Sequence, residues 1–223
     1  IETPVFMPVG TLGTVKAMEQ RELHELDTRI ILGNTYHLFL RPGMEVMENA
    51  SGLHNFMSWN KSILTDSGGF QIFSLTKLKK ITEEGVEFSS HLNGDKFFFT
   101  PEKVIDIQRS IGSDIMMPLD ECLPHPSEKK IVEKSIALTY RWEKRCFDQY
   151  KNSKEKYGHD QKLFSINQGS TFPDLRKRSI EELNEIDFDG HAIGGLAVGE
   201  VNSLMYDIVD HSTDFLPKEK PRY

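Results

Sequence analysis

The order of apolar runs along the chain predicts an α/β fold with a parallel sheet. Three observations carry that expectation. Six short runs rich in branched and apolar residues are separated by stretches with helical spacing, the alternation of parallel strands with crossover helices. Five of the six close on glycine or on a polar residue beside glycine, as strand tips facing a ligand do. No G-x-G-x-x-G follows the first run, so a doubly wound dinucleotide fold is not indicated.

Residues 5–10 are apolar and end in Gly10, which predicts a first buried strand. Residues 15–26 carry apolar side chains at helical spacing. A second strand is predicted over 30–34, with a turn at Arg41-Pro42-Gly43, and a third over 62–64. Residues 85–99 break the rhythm: apolar runs flank Asn93-Gly94, the strongest short hairpin signal. Thr100 followed by Pro101 and Glu102 opens a helix through Ser110. A fourth strand over 114–119 ends on Asp120-Glu121-Cys122. A helix over 127–150, with Ser127 as its N-cap, leads to a fifth strand over 163–167. A helix over 173–185, a sixth strand over 191–196 and a helix over 203–209 complete the pattern. An eight-unit barrel needs about 250 residues. The expectation is therefore a TIM (β/α)8-type barrel with about six of its eight βα units plus an inserted β-hairpin, a single domain over 1–223.

Composition narrows the function classes. The chain has 223 residues with a net charge of −7, so no overall basic field favours nucleic acid. Two short basic clusters, Lys77 to Lys80 and Arg176 to Arg178, read first as solvated surface. No apolar stretch is long enough for a membrane span, and no secretory leader is visible. Two cysteines give no disulfide framework, which fits a reducing cytoplasm. Ile1-Glu2-Thr3-Pro4 reads as a chain already under way, so a segment of a longer polypeptide is expected.

The candidate chemistry gathers at the strand tips. The third strand stops abruptly at Asp66, followed by Ser67, Gly68 and Gly69, which puts a carboxylate over a turn that a ligand can approach. The same four residues also make an ordinary turn, with Asp66 bonding nearby backbone N–H groups. Asn34, Asp120, Glu121, Cys122, Gln168, Gly194 and Gly195 stand at other tips. Two carboxylates there suit acid–base work, and Gln168 with the glycine backbone suits a planar ligand on which Phe70 can stack. Eight histidines form no H-x-H or H-E-x-x-H, and there is no C-x-x-C, so no metal ligand is expected in this chain. Cys122 and Cys146 read as inert small residues.

Several motifs together resemble the tRNA-guanine transglycosylase family, in its bacterial form. They are G-N-T-Y-H-L at 33–38, L-T-D-S-G-G-F-Q at 64–71, S-H-L-N-G at 90–94, D-E-C at 120–122, Q-G-S at 168–170 and G-G-L-A-V-G-E at 194–200. F-M-P-V-G-T near the start and P-K-E-K-P-R-Y at the end fit as well, so the resemblance runs the whole chain in order. It implies exchange of guanine at the wobble position of tRNA anticodons for a 7-deazaguanine, through a covalent enzyme–RNA intermediate. It implies Asp66 as general acid/base and Asp120 as acceptor from the N1–H and amine of the purine. Gln168 and the Gly195 N–H would meet the base's carbonyl, and Phe70 would stack. Leu196 and Ala197, held by Glu200, would read the 7-substituent. Asn34 and Gln71 would support Asp66 and the ribose. Cys122 and Val198 favour the small base preQ1 over queuine. The family's covalent aspartate and its structural zinc ligands are expected beyond Tyr223, so the isolated segment is expected to lack turnover. The full-length protein is expected to be a cytoplasmic homodimer acting on tRNA. A non-catalytic tRNA-binding partner subunit of the same family and a barrel enzyme acting on free purines stay open as alternatives.

Overall fold

The branched run at β1 (Ile30–Gly33) lies parallel and in register beside β2 (Ser62–Thr65). In the computed structural model, which describes residues 1–75 and 79–223, the sheet continues through β6 (Ile115–Met116), β7 (Lys162–Asn167) and β8 (Gly190–Ile193). All neighbours are parallel and their order in space, β1-β2-β6-β7-β8, is their order in the chain. A doubly wound sheet would reverse that order at a switch point. None occurs among the described residues.

Side-chain alternation splits the strands between two cores. Ile31, Ile63, Met116 and Leu163 join the large core beneath the helices. Ile30, Leu32, Leu64, Met117, Phe164, Ile166 and Ala192 form a separate cluster on the other face. The helices follow one another in turn: α6 (Pro101–Ile111) packs on α7 (Lys129–Asn152), α7 on α8 (Pro173–Leu183), and α8 on α9 (Asn202–Thr213).

Several expected elements differ. Residues 5–10 make no strand: Val9 forms a single parallel bridge to Leu32, flanked by Gly10 N–H to Leu32 O at 2.7 Å and Leu32 N–H to Pro8 O at 3.0 Å. Pro4 and Pro8 have no N–H to extend the ladder. The sheet thus has five strands rather than six. A similar bridge from His191 to Arg222 borders β8. The helix expected over 15–26 shortens to α1 (Gln20–Glu25), because Ala17 sits in the left-handed region and Glu19 and Glu22 form a capping box. Short helices α2 (Thr35–Leu40), α3 (Met44–Asn49), α4 (Leu53–Phe56) and α5 (Gly69–Leu75) fill stretches too brief for a periodicity signal.

The hairpin is present as β4 (Val86–Ser89) and β5 (Lys96–Phe99), extended by β3 (Lys79–Ile81) into a three-stranded antiparallel sheet. Lys79 and Lys80 are exposed on β3, while Lys77 of that basic cluster lies outside the described residues. Thr100 caps α6 as expected, its hydroxyl accepting from Lys103 N–H at 3.2 Å. Ser127 does not cap α7. Its hydroxyl donates instead to Pro124 O at 2.5 Å, and the cap is Glu128.

The fourth strand is cut to two residues, and the cause is visible. Gln108 of α6 takes both backbone groups of Met117, accepting its N–H at 3.0 Å and donating to its O at 2.8 Å. Beyond that point α7 supplies the missing ladder partners. Leu119 N–H donates to Cys146 Sγ, Glu121 N–H to Thr139 Oγ1, and Ile166 N–H to the Glu143 carboxyl. Burial pushes Glu143 well above the usual carboxyl range and raises the Cys146 thiol likewise. Freed from the ladder, residues 117–122 turn into the site.

Candidate active site

Asp66 follows the last residue of β2, and its carboxylate is surrounded by donors. Oδ1 accepts from Thr35 N–H at 3.0 Å and Gly68 N–H at 3.1 Å. Oδ2 accepts from Gln71 Nε2 at 3.0 Å and from the Asn34 side-chain amide. Burial pushes this carboxyl above its ordinary range, and the four donors pull it part of the way back. Gln71 Oε1 is buried with no hydrogen-bond partner, an acceptor beside Asp66 that a ligand donor can satisfy.

Asp120 closes the other side. Its Oδ1 accepts from Ser67 Oγ–H at 2.9 Å and its Oδ2 from Gln168 Nε2 at 2.8 Å. Burial is the main reason its carboxyl is pushed up to about 6, and the charge of Asp66 adds to it. Gly69 makes this closeness geometrically feasible: a Cβ there would lie 2.8 Å from Asp120 O and 2.9 Å from Oδ1. Ser67 is fixed between the two, donating to Asp120 and accepting from Gly69 N–H.

The loop after β8 forms the third wall. Gly195 has φ +62, and a Cβ on it would stand 2.2 Å from Gln168 Oε1. Glu200 accepts from the N–H groups of Ala197 and Val198; burial raises its carboxyl, but its own backbone N–H and these two together bring it below the usual range. Ala197 is held at φ +57, a conformation uncommon for a residue with a Cβ.

These walls enclose an open cavity of about 340 Å³. Asp66, Phe70, Asp120, Cys122, Gln168, Gly195 and Leu196 line it, all of them expected from the sequence. Asn34 and Gln71 bond the Asp66 carboxylate, and Ala197 and Glu200 shape the loop; none of the four lines the cavity. Phe70 is 51% exposed at the mouth. The Cys122 thiol is pushed up to about 12 by burial and by Asp120, so it is neutral. Glu121 does not line this cavity, and its N–H is bonded to Thr139 on α7.

Arg176 corrects the sequence reading. Expected on a solvated surface, it is fully buried on α8. Its guanidinium donates to Ser170 O at 2.8 Å, Asn167 O at 2.8 Å, Gly194 O at 2.7 Å and Gly195 O at 3.3 Å. Burial brings its pKa down to about 10. One side chain thereby ties the loops after β7 and β8 that carry Gln168 and Gly195. Its neighbours Lys177 and Arg178 pair along the helix with Glu181 and Glu182. Arg176→Met removes all four of these guanidinium bonds and takes the donor from the buried Ser170 carbonyl, although Asn167 O keeps Gly194 N–H, so a loss of about 3 kcal/mol is expected. A differential scanning measurement should then show a midpoint lower by about 6–12 °C.

A sheet whose carboxyl edge gathers acidic, amide and glycine groups around one cavity is that of an α/β protein with its site at the strand tips. Comparison with known proteins narrows the class. The family model described as "TGT: Queuine tRNA-ribosyltransferase" matches residues 1–223, and the chain belongs to that family. It is similar to the queuine tRNA-ribosyltransferase of Caldanaerobacter subterraneus subsp. tengcongensis, with 59% identity over 223 residues, all of this chain and 58% of the relative. The protein of the same name from Thermoanaerobacter pseudethanolicus is 57% identical, again over all of this chain and 58% of the relative. The one from Staphylococcus aureus is 56% identical over 222 residues, 57% of its own length. The chain therefore spans a little over half the length of these curated relatives. Among the described residues no helix is long and apolar enough to cross a membrane.

Proposed function

We propose that these residues form the base pocket of a tRNA-guanine transglycosylase, which exchanges guanine at the wobble position of tRNA anticodons for preQ1. The convergence of Asp66 and Asp120 with Gln168 and Gly195 on one cavity carries this reading. About 340 Å³ falls in the range of sites for small planar ligands. An ionised Asp120 offers two acceptor oxygens to the N1–H and amine of guanine, a pairing that adenine cannot make. The amide of Gln168 and the Gly195 N–H supply donors for the purine carbonyl. Phe70 at the mouth stacks on the ring, and Gln71 Oε1 takes a ribose hydroxyl. Leu196 and Val198, on the loop whose Ala197 and Val198 N–H groups Glu200 holds, border the 7-position, and the neutral Cys122 on the same cavity keeps that end narrow for preQ1. The target base leaves its stack to reach the pocket.

The chemistry is double displacement. A carboxylate forms a bond to ribose C1′ while the C1′–N9 pair returns to guanine, and Asp66 delivers the proton the departing base takes up. The incoming base gives its N9 proton back to Asp66 and attacks C1′, releasing the carboxylate. The two pocket carboxylates already have other tasks in this reading, Asp120 in holding the base and Asp66 in moving its proton. The attack falls to a further aspartate of the longer polypeptide. The family's structural zinc likewise belongs with cysteine and histidine ligands outside these residues. Cys122 in the pocket and Cys146 on α7 serve separate sites and do not make such a cluster. The working protein is proposed to be a cytoplasmic homodimer bound to tRNA.

We also read the sheet as about six units of a TIM (β/α)8-type barrel. Strand order without reversal, two separate cores and extended partners at both sheet edges support it. The function is tested by incorporation of labelled guanine into tRNA. The polypeptide that continues beyond these residues is expected to incorporate it, and residues 1–223 alone are not. No incorporation by the longer polypeptide would overturn the reading.

A further inference from the structure

At the end of the sheet opposite the pocket, three side chains from separate segments meet. His54 lies on α4, Asp114 stands just before β6, and His159 precedes β7, and one ligand atom from each lies within 4.8 Å of the others. His54 Nδ1 is 2.8 Å from the Trp59 carbonyl, which can only accept, so Nδ1 carries the proton. In a neutral ring Nε2 then holds a lone pair, and it faces Asp114 Oδ2 at 3.1 Å. Two lone pairs that close require a positive charge between them. His159 repeats the pattern, with Nε2 3.1 Å from the Gly112 carbonyl and Nδ1 left as its lone-pair atom.

An imidazole anchored through one nitrogen to a backbone carbonyl is the usual support for a metal ligand on the other nitrogen. Two ligands on one zinc-like ion at about 2.0–2.1 Å stand about 2.9 Å apart at a right angle and about 3.4 Å apart in a tetrahedron. The observed 3.1 Å falls between these. A cavity of about 370 Å³, lined by these three residues with Asn55, Trp59 and Tyr157, leaves room for water to complete the shell. The segment bearing His159 is docked in place. Tyr157 lies against Gly52 and Gly112, where added Cβ atoms would come within 2.8 and 2.5 Å of its ring, and its hydroxyl donates to Ser110 O at 2.7 Å.

We propose that His54, Asp114 and His159 form a binding site for a divalent transition-metal ion of the zinc type, remote from the base pocket. Two imidazoles and one carboxylate suit Zn²⁺ or Co²⁺ rather than the all-oxygen shells of Mg²⁺ and Ca²⁺. The ion would fasten α4 and the segment before β7 to the start of β6. Sequence patterns missed the site because its three ligands share no local motif: His54 and Asp114 are 60 residues apart.

The test compares the full polypeptide with its His159→Ala and His54→Ala variants after chelator treatment and reloading with Zn²⁺. Wild type is expected to retain one more zinc per chain than either variant, so that any other zinc site cancels in the difference. Loading with Co²⁺ should add a visible d–d band that His159→Ala loses, with affinity at that site reduced at least about tenfold. His159 makes a single hydrogen bond at a partly exposed position, so its variant keeps the fold even if His54→Ala does not. Equal zinc content in wild type and His159→Ala would overturn the proposal and leave a proton as the only bridge between His54 and Asp114.

Discussion

Asp120→Asn is expected to weaken guanine binding by about 10²-fold or more while making the protein more stable near neutral pH. The two effects share one cause. Asp120 is 6% exposed and its carboxyl is pushed up to about 6, so the folded protein holds a proton that the unfolded chain gives up near 3.8. For a carboxyl raised in this way, stability falls as pH rises from about 4 to about 6 and stays lower above that window. The displacement corresponds to about 3 kcal/mol at pH 7.5. An amide carries no charge, but its NH₂ group confronts the Gln168 NH₂, which offsets about 1 kcal/mol. The net gain of about 2 kcal/mol should raise the thermal midpoint by about 4–8 °C. The same substitution puts a donor opposite the base's own donors, and guanine affinity should fall by about 10²-fold or more. A variant that is destabilised yet still binds guanine would contradict both assignments.

Asp66→Asn is expected to divide the kinetics differently. As the proposed proton carrier for the departing and incoming bases, Asp66 should account for about 10²–10⁴-fold in kcat. Its carboxylate is held by four donors, and in the proposed reading base recognition is assigned to Asp120, Gln168 and Gly195. KM for guanine should therefore change by less than about tenfold. Steady-state exchange with labelled guanine checks this in the longer polypeptide. An unchanged kcat would remove Asp66 from the chemistry.

Much of this site was legible because a strand tip announces itself. At Asp66 an apolar run breaks on a carboxylate before two glycines, and at Asp120 and Gln168 similar runs break on polar groups. Those positions line one cavity. What stayed hidden depends on contacts between distant segments. Arg176 stands in a charged tripeptide that reads as surface, and only the carbonyls of Ser170, Asn167, Gly194 and Gly195 explain its burial. The short β6 was equally unreadable, since Gln108 competes for Met117 from a helix. The strand expected over 5–10 failed for a reason that was in the sequence, the two prolines. The glycine and apolar pattern around them was given more weight than the missing N–H groups.

The central claim is that Asp120, facing Asp66, reads guanine, and calorimetric titration of the protein with guanine and adenine tests it most directly. At pH 7.5, where Asp120 is ionised, guanine should bind and adenine should give no heat. As pH falls through about 6, Asp120 takes up its proton and loses an acceptor, so guanine affinity should decline. Equal binding of the two purines, or guanine affinity that does not change between pH 7.5 and 5, would contradict the account.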